Sequence, residues 1–452
     1  MVCASGCAGP KTYFGPHCVA TQIESRTGHR LPAETCPGEP SIPATVDVED
    51  GITEREAVAL ALWNNAEYRE LLADLGLSRA AVIEAGQLAN PEFSAMFPVG
   101  VKQLEFALNV PLEAVWLRPA RLAAAELDSQ RMGNQLVQSG LDLVRDVRVA
   151  FAELVLAQER LRLAQQSARL REQITELADA RLRAGSGSEL DLMTARIDQL
   201  IEQQRAARLV HDVGLAKERL RYLMGVGSIG IEFDAVAPPR PAAIATDPEF
   251  LLTQALASRP DLWAARFSLR AAEQRARIAA WDFLHVTKVF PDANSRGKKG
   301  FEAGPGVLFT VPLLNQNQGA KARAAAEVDK AQRSCETLRQ KIAVEVRQAH
   351  RRVAQAREDL QKWSDEIRPA SEEAVATSEK AFRDGGASLL LMLLNSHQLV
   401  DSQLREVEAA AELHKAIAEV ERSVAGPVFD LQSDAPVFAS PDLPQEPIGD
   451  LP

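Results

Sequence analysis

Arg183-Ala184-Gly185-Ser186-Gly187-Ser188 recurs 200 residues later as Arg383-Asp384-Gly385-Gly386-Ala387-Ser388. Each hexapeptide holds a glycine suited to the left-handed residue that ends a helix, and a serine suited to capping the next helix. Each therefore reads as a reversal between two helices. Other stretches recur at nearly the same spacing. Val110-Pro111-Leu112 matches Val311-Pro312-Leu313, and Ala123-Ala124-Ala125-Glu126 matches Ala324-Ala325-Ala326-Glu327, both at an offset of 201. Val147-Arg148 matches Val346-Arg347 at 199, and Ala61-Leu62 before Asn64-Asn65 lines up with Ala255-Leu256 before Ser258-Arg259 at 194. Ordered matches in one register mark an internal duplication of about 200 residues, far longer than a solenoid repeat.

Each copy reads as a helix, an extended hairpin, a very long helix, a glycine turn and a second long helix. Order begins at Thr53-Glu54-Arg55-Glu56, a capping box, followed by a helix over Ala57–Asn65 and a second run to about Gln87. From Pro119 to Arg183 no proline intervenes, and Leu, Val and Ala recur at helical spacing among Arg, Glu and Gln. Such a run of ~65 residues predicts a rod of roughly 100 Å. The returning helix runs from Glu189 to about Met224. The second rod runs from about Gly319 to Arg383, with Pro369 predicted to kink it. The domain reading is a leader without periodicity at 1–52, expected to be disordered, a first repeat at 53–225 and a connector at 226–247. A second repeat at 248–425 and a Pro-rich flexible tail at 426–452 complete it.

The hairpins fall at 91–111 and 284–312. In Gln103–Val110, Leu104, Phe106, Leu108 and Val110 alternate with Gln103, Glu105, Ala107 and Asn109, the period-two pattern of a strand. The stretch Leu284–Phe309, with Pro291, Gly297, Gly300, Gly304, Pro305 and Gly306, reads as irregular. A hairpin of ~20 residues has room for two strands of the length that crosses a bilayer at a tilt. Barrels begin near eight strands, so two hairpins cannot close one. A membrane barrel would have to be shared, and three chains of four strands would give twelve.

Composition bounds the function. The chain has 452 residues, 51 Lys+Arg against 62 Asp+Glu and a formal net charge of −11. That excludes a general nucleic-acid binder, whose footprint is surplus positive charge. With 46% hydrophobic and 25% charged residues the chain is not wholly disordered. No apolar run reaches the ~18 residues of a membrane helix; strands of a barrel leave no such signature. No nucleophile, base and orienting group stand together. The histidines His350, His397 and His414 lack ligand spacing, and Gly304-Pro305-Gly306 precedes no helix that could hold a phosphate. Neither an enzyme nor a cofactor is expected.

Near the N-terminus, Ala4-Ser5-Gly6-Cys7 resembles a lipobox, in which Cys7 would be lipidated. Only six residues precede it, fewer than a secretory signal needs, so a start upstream of Met1 and a chance likeness both fit. Cys18 and Cys36 would suit a disulfide in an exported chain; incidental thiols fit as well.

The duplicated plan, the two turns and the junction Val311-Pro312-Leu313-Leu314-Asn315-Gln316-Asn317-Gln318-Gly319 together resemble the outer membrane efflux protein family. These are the TolC-like channels of Gram-negative bacteria. The resemblance covers residues 53–425, and the junction is most similar to heavy-metal-type members. It implies a mainly α fold: long antiparallel helices in a periplasmic coiled-coil tunnel, with four strands per chain in a twelve-stranded trimeric β-barrel in the outer membrane. It also implies a homotrimer whose tunnel tip docks on a periplasmic adaptor and an inner membrane pump. Such a channel is a passive conduit, here with heavy-metal cations as the suggested cargo. The other reading is a soluble periplasmic coiled-coil protein without a barrel.

In the family, acidic and hydrogen-bonding residues near these turns hold the tip closed. The matching candidates are Gly185, Ser188, Asp191, Phe382, Gly385 and Ser388. Phe382 stands where many members have a tyrosine used in tip contacts. Read by itself, Ser188-Glu189-Leu190-Asp191 is a capping box, so Asp191 has a structural and a gating reading. The second copy has Leu391 there, and Leu389–Leu394 fits either a hydrophobic gate or a helix-pair core. Met193 and Met392 fit packing or, as thioethers, copper(I).

Overall fold

The computed structural model describes residues 14–32, 41–43, 46, 50–97, 102–228, 232–238, 247–281, 286–295, 302–303, 306–309, 313–383 and 386–428. The elements in order are α1 Pro16–Thr27, α2 Glu54–Asn64, α3 Ala66–Gly86, β1 Glu92–Met96, β2 Lys102–Pro111, α4 Glu113–Arg183 and α5 Glu189–Met224. The second copy supplies α6 Pro248–Ser258, α7 Pro260–Trp281, β3 Val286–Ser295, β4 Glu302–Ala303, β5 Gly306–Phe309, α8 Gln318–Lys362, α9 Arg368–Arg383 and α10 Leu389–Val424. The two copies thus repeat one order of elements. Among the described residues no helix is long and apolar enough to cross a membrane.

Local chemistry explains the boundaries. Thr53 and Glu56 form the reciprocal capping box that starts α2: the Glu56 amide donates to Thr53 Oγ1, and the Thr53 amide donates to Glu56 Oε2 at 2.9 Å. α4 begins at Glu113 and carries Pro119 inside it, so the helix starts earlier than the proline-free run suggested. A proline early in a helix of 71 residues removes one hydrogen bond and leaves the rest intact. Pro369 acts differently. A single π turn, Trp363–Ile367, separates α8 from α9, and the Arg368 amide donates to the Trp363 carbonyl. The wider turn relieves the rod just ahead of a residue that has no N–H.

The strands form one sheet. β1 pairs with β2, β2 pairs with β3, and both β4 and β5 pair with β3, all antiparallel. The β2–β3 ladder joins the two copies, from Pro111 against Thr287 to Lys102 against Ser295. The stretch expected to be irregular therefore contains a strand of 10 residues. Pro291 sits in it opposite Ala107, where proline deletes one ladder donor while the flanking pairs hold the register. β1 on one side, and β4 with β5 on the other, have a partner on one edge only among the described strands.

The chain divides into two compact units, and each draws on both copies. The first holds residues 70–138 and 260–341, including the whole sheet; the second holds 21–69, 139–259 and 342–452. In the second unit the duplication shows in the hydrogen bonds. Asn65, in the break between α2 and α3, donates its amide to the Leu223 carbonyl near the end of α5 at 2.9 Å. Arg259, in the break between α6 and α7, donates to the Ser423 carbonyl near the end of α10 at 3.3 Å. α5 ends on Gly225 at φ 68° and α10 on Ala425 at φ 60°, both left-handed.

Ion pairs knit the same unit. Arg259 meets Glu345 at 2.7 Å, Arg422 meets Asp142 at 2.7 Å, and Arg148 meets Glu54 at 2.9 Å and Glu421. Part of the leader is ordered, contrary to expectation. In α1, Val19 and Ile23 are fully buried. In the second unit Gly140 leaves the gap that Ile23 and Tyr68 fill, and Arg26 donates to the Ser258 carbonyl at 2.7 Å. The leader's lack of periodicity hid this because one apolar face of a 12-residue helix needs few apolar residues.

Candidate functional site: the paired helix turns

The first turn follows from its glycines. Gly185 takes φ 73°. Its amide donates to the Leu182 carbonyl at 3.0 Å, and the Ser186 amide reaches back to Arg181 at 2.9 Å. This pair of bonds closes the end of α4 with a left-handed residue that lacks a Cβ. In the second turn the Gly386 amide donates to the Ala381 carbonyl at 2.8 Å, the same bond 200 residues on. Gly385 lies outside the described residues.

The return helices are capped as their serines suggested. The Leu190 amide donates to Ser188 Oγ at 3.1 Å, and the Ser188 amide donates to the Asp191 carboxylate at 3.4 Å. Asp191 is exposed, so capping leaves its charge available to solvent. The Leu391 amide donates to Ser388 Oγ at 3.3 Å, with no carboxylate to complete a box.

The two turns belong together in space. The Arg181 guanidinium lies over the Phe382 ring at 5.0 Å, a cation–π contact across the two copies. Ile174 and Ala178 of α4, Ala195 of α5, and Met392 and Leu393 of α10 form one buried cluster, flanked by Leu170, Leu192 and Phe382. Thr175 Oγ1 also donates to the Ala195 carbonyl at 3.1 Å. Four helices from both copies thus meet beside the turns. The run Leu389–Leu394 divides: Met392 and Leu393 are core, while Leu390, Leu391 and Leu394 are exposed. Met193 is exposed and Met392 buried, so the two thioethers do not share a symmetric core.

One charged group here escaped the sequence reading. Arg171 is 1% exposed, and none of its guanidinium nitrogens has a hydrogen-bond partner. Burial lowers its pKa, and Asp198 and Glu202 of α5 oppose that shift. Burial, with Arg171 next, likewise lowers the pKa of His397 on α10. The signal was present in the sequence: Arg171, Ile174 and Ala178 stand at i, i+3 and i+7, one face of a helix. Among the described residues no group of His, Cys, Asp or Glu has the makings of a metal site. Cys18 is a free thiol; Cys7 and Cys36 lie outside the described residues.

Residues 64–226 match the family described as Outer membrane efflux protein. The cobalt-zinc-cadmium resistance protein CzcC of Cupriavidus metallidurans is 24% identical over 386 residues, covering 82% of this chain and 89% of that protein. The pyoverdine export outer membrane protein OpmQ of Pseudomonas putida is 26% identical over 67% of each chain. The solved outer-membrane channel OprN superposes with a TM-score of 0.71 at 19% identity, covering 87% of this chain and all of that one. The shared fold is one of long helices joined to a small antiparallel sheet. Residues 64–226 thus match the outer membrane efflux protein family, and the fold of the chain is that of the solved outer-membrane channel OprN.

Proposed function

We propose that this chain is the outer membrane channel subunit of a tripartite efflux system. Three copies close a twelve-stranded barrel, and substrate arrives from an inner membrane pump through a periplasmic adaptor seated on the six turns. The observation that carries this reading is a sheet whose outer strands, β1 on one side and β4 with β5 on the other, are paired on one edge only among the described strands. Its central strands, β2 and β3, are 10 residues each, long enough to cross a bilayer at a tilt. Unpaired strand edges are not tolerated in lipid, so further copies must cover them.

The channel does no chemistry. Heavy-metal cations are the cargo favoured by the CzcC likeness and by the junction Asn315–Gly319. Three copies of exposed Asp191 would ring the tip and attract cations while repelling anions. Phe382 and the exposed Leu390, Leu391 and Leu394 would close it by contact between helices. Lipidation at Cys7 would add an anchor to the leaflet.

Deleting the gene and assaying tolerance to cobalt, zinc and cadmium salts tests the reading. Lost tolerance, restored by the intact gene, supports it. Unchanged tolerance with lost export of an organic solute would replace the cargo. No change in either would overturn the assignment.

A further inference from the structure

Arg171 of α4 is 1% exposed, and its Nε, Nη1 and Nη2 all lack a hydrogen-bond partner among the described residues. It shares a face of α4 with Ile174 and Ala178, members of the buried cluster that also holds Ala195, Met392 and Leu393. An apolar side chain would suit that place. A buried guanidinium without an acceptor instead gives up its hydration with nothing in return, a cost that folds rarely carry. A second arrangement of the helices, one that brings an acceptor to Arg171, would remove that cost.

The acceptors lie on one helix. The negative charges that reach Arg171 are Asp198 and Glu202 of α5, four residues and so one turn apart on one face. Glu202 is itself buried, and its Oε2 has no hydrogen-bond partner. Its other oxygen stands 3.8 Å from Arg205, a long contact. From α10 the titratable neighbour is His397, which brings no negative charge. Orphaned donors on α4 thus face an orphaned acceptor on α5.

The contacts of α5 leave it room to shift. Within one chain its buried residues are Ala195, Glu202, Leu220 and Met224. Leu220 and Met224 anchor the end remote from the turn. Between them and Gly185 the buried contacts are a methyl group, which does not interlock with a neighbouring helix, and the Glu202 carboxylate. Thr175 Oγ1 fastens the α5 backbone at the Ala195 carbonyl, at 3.1 Å, and every turn of a helix repeats that carbonyl.

We propose that α4 and α5 form a two-position latch inside each subunit. In the arrangement described here Arg171 is open; in the second, α5 shifts along α4 and Arg171 pairs with the carboxylates of Glu202 and Asp198. A buried ion pair that specifies one of two packings has this use more readily than it has one in stability. Because residues 184–188 join the two helices, the shift moves the turn and gives the tip two apertures. The inference rests on the channel reading above.

Thermal melts and single-channel recordings of the full chain test it, on wild type, R171M, R171K and D198N/E202Q. An open Arg171 predicts that R171M melts at a higher temperature than wild type, because methionine fills the place without a buried charge. The latch predicts two conductance levels in wild type and in R171K, and a single level in R171M and in D198N/E202Q. A lower melting temperature for R171M would mean that Arg171 is already bonded in the resting chain and would overturn the latch. Two levels persisting in R171M or in D198N/E202Q would overturn it as well, as would one level in a conducting wild type. No conductance from wild type would overturn the channel reading and the latch with it.

Discussion

Gly225 and Ala425 are the same position in the two copies, 200 residues apart, and substitution should separate them. Gly225→Ala adds a Cβ at φ 68°. Left-handed backbone costs a residue with a Cβ about 1–2 kcal/mol. The new methyl would also collide with the backbone of Asn64, with the Asn65 amide nitrogen only 2.8 Å away. Those atoms belong to a helix end held by the Asn65 side chain on Leu223, so they cannot yield cheaply, and overpacking adds about 1–3 kcal/mol. The sum is roughly 2–5 kcal/mol. Ala425→Gly is the control. It relieves the strain at φ 60° but removes a buried methyl, worth about 0.8 kcal/mol, and the two nearly offset. Thermal unfolding in detergent, followed by circular dichroism, reads the difference. At roughly 2 °C per kcal/mol, G225A should fall by about 4–10 °C, with A425G within ~2 °C of wild type. Equal shifts for both, or no shift for G225A, would refute the argument from close approach.

Three further outcomes follow from the tip and the leader. D191N should lower cation-over-anion selectivity in planar bilayers by removing one charge per chain from the tip, and should weaken the cap of α5 by about 1 kcal/mol; unchanged reversal potentials would return Asp191 to capping alone. The G185V variant strains its turn, at φ 73°, by about 1–2 kcal/mol, and it should still insert as a trimer while failing to support efflux; normal export would contradict the docking role. His29, whose pKa is pushed down from 6.5 to about 4 by burial and by Arg148 and Arg55, favours the folded state while neutral. Its contribution is full above about pH 6.5 and is lost as pH falls to about 4. The H29Q chain should therefore lose less stability than wild type over that window, which parallel melts at stepped pH will show.

Much of the architecture was legible because it rests on local signals. Capping boxes at Thr53 and Ser188 mark helix starts wherever they occur, and the duplicated turn fixes the order of elements. What the sequence concealed depends on partners distant in the chain. β3 survives Pro291 because β2, from the other copy, holds the ladder on either side of it. Arg171 shares a helical face with Ile174 and Ala178, yet charge overrides periodicity when residues are sorted into core and surface. α1 packs where Gly140 leaves room, and a missing side chain announces no contact. At the tip, Ser188 and Ser388 match the expected caps. The asymmetry between Met193 and Met392 arises from packing that duplication does not preserve.

The central claim is that three chains share one barrel, and a cryo-EM reconstruction of the purified chain in lipid nanodiscs tests it most directly. The account predicts a threefold particle with twelve strands in the bilayer. β1 of each chain would pair with the last strand of its neighbour, and six turns would gather at the far end of the helices. A monomeric particle, or a trimer whose strands lie outside the bilayer, would contradict it.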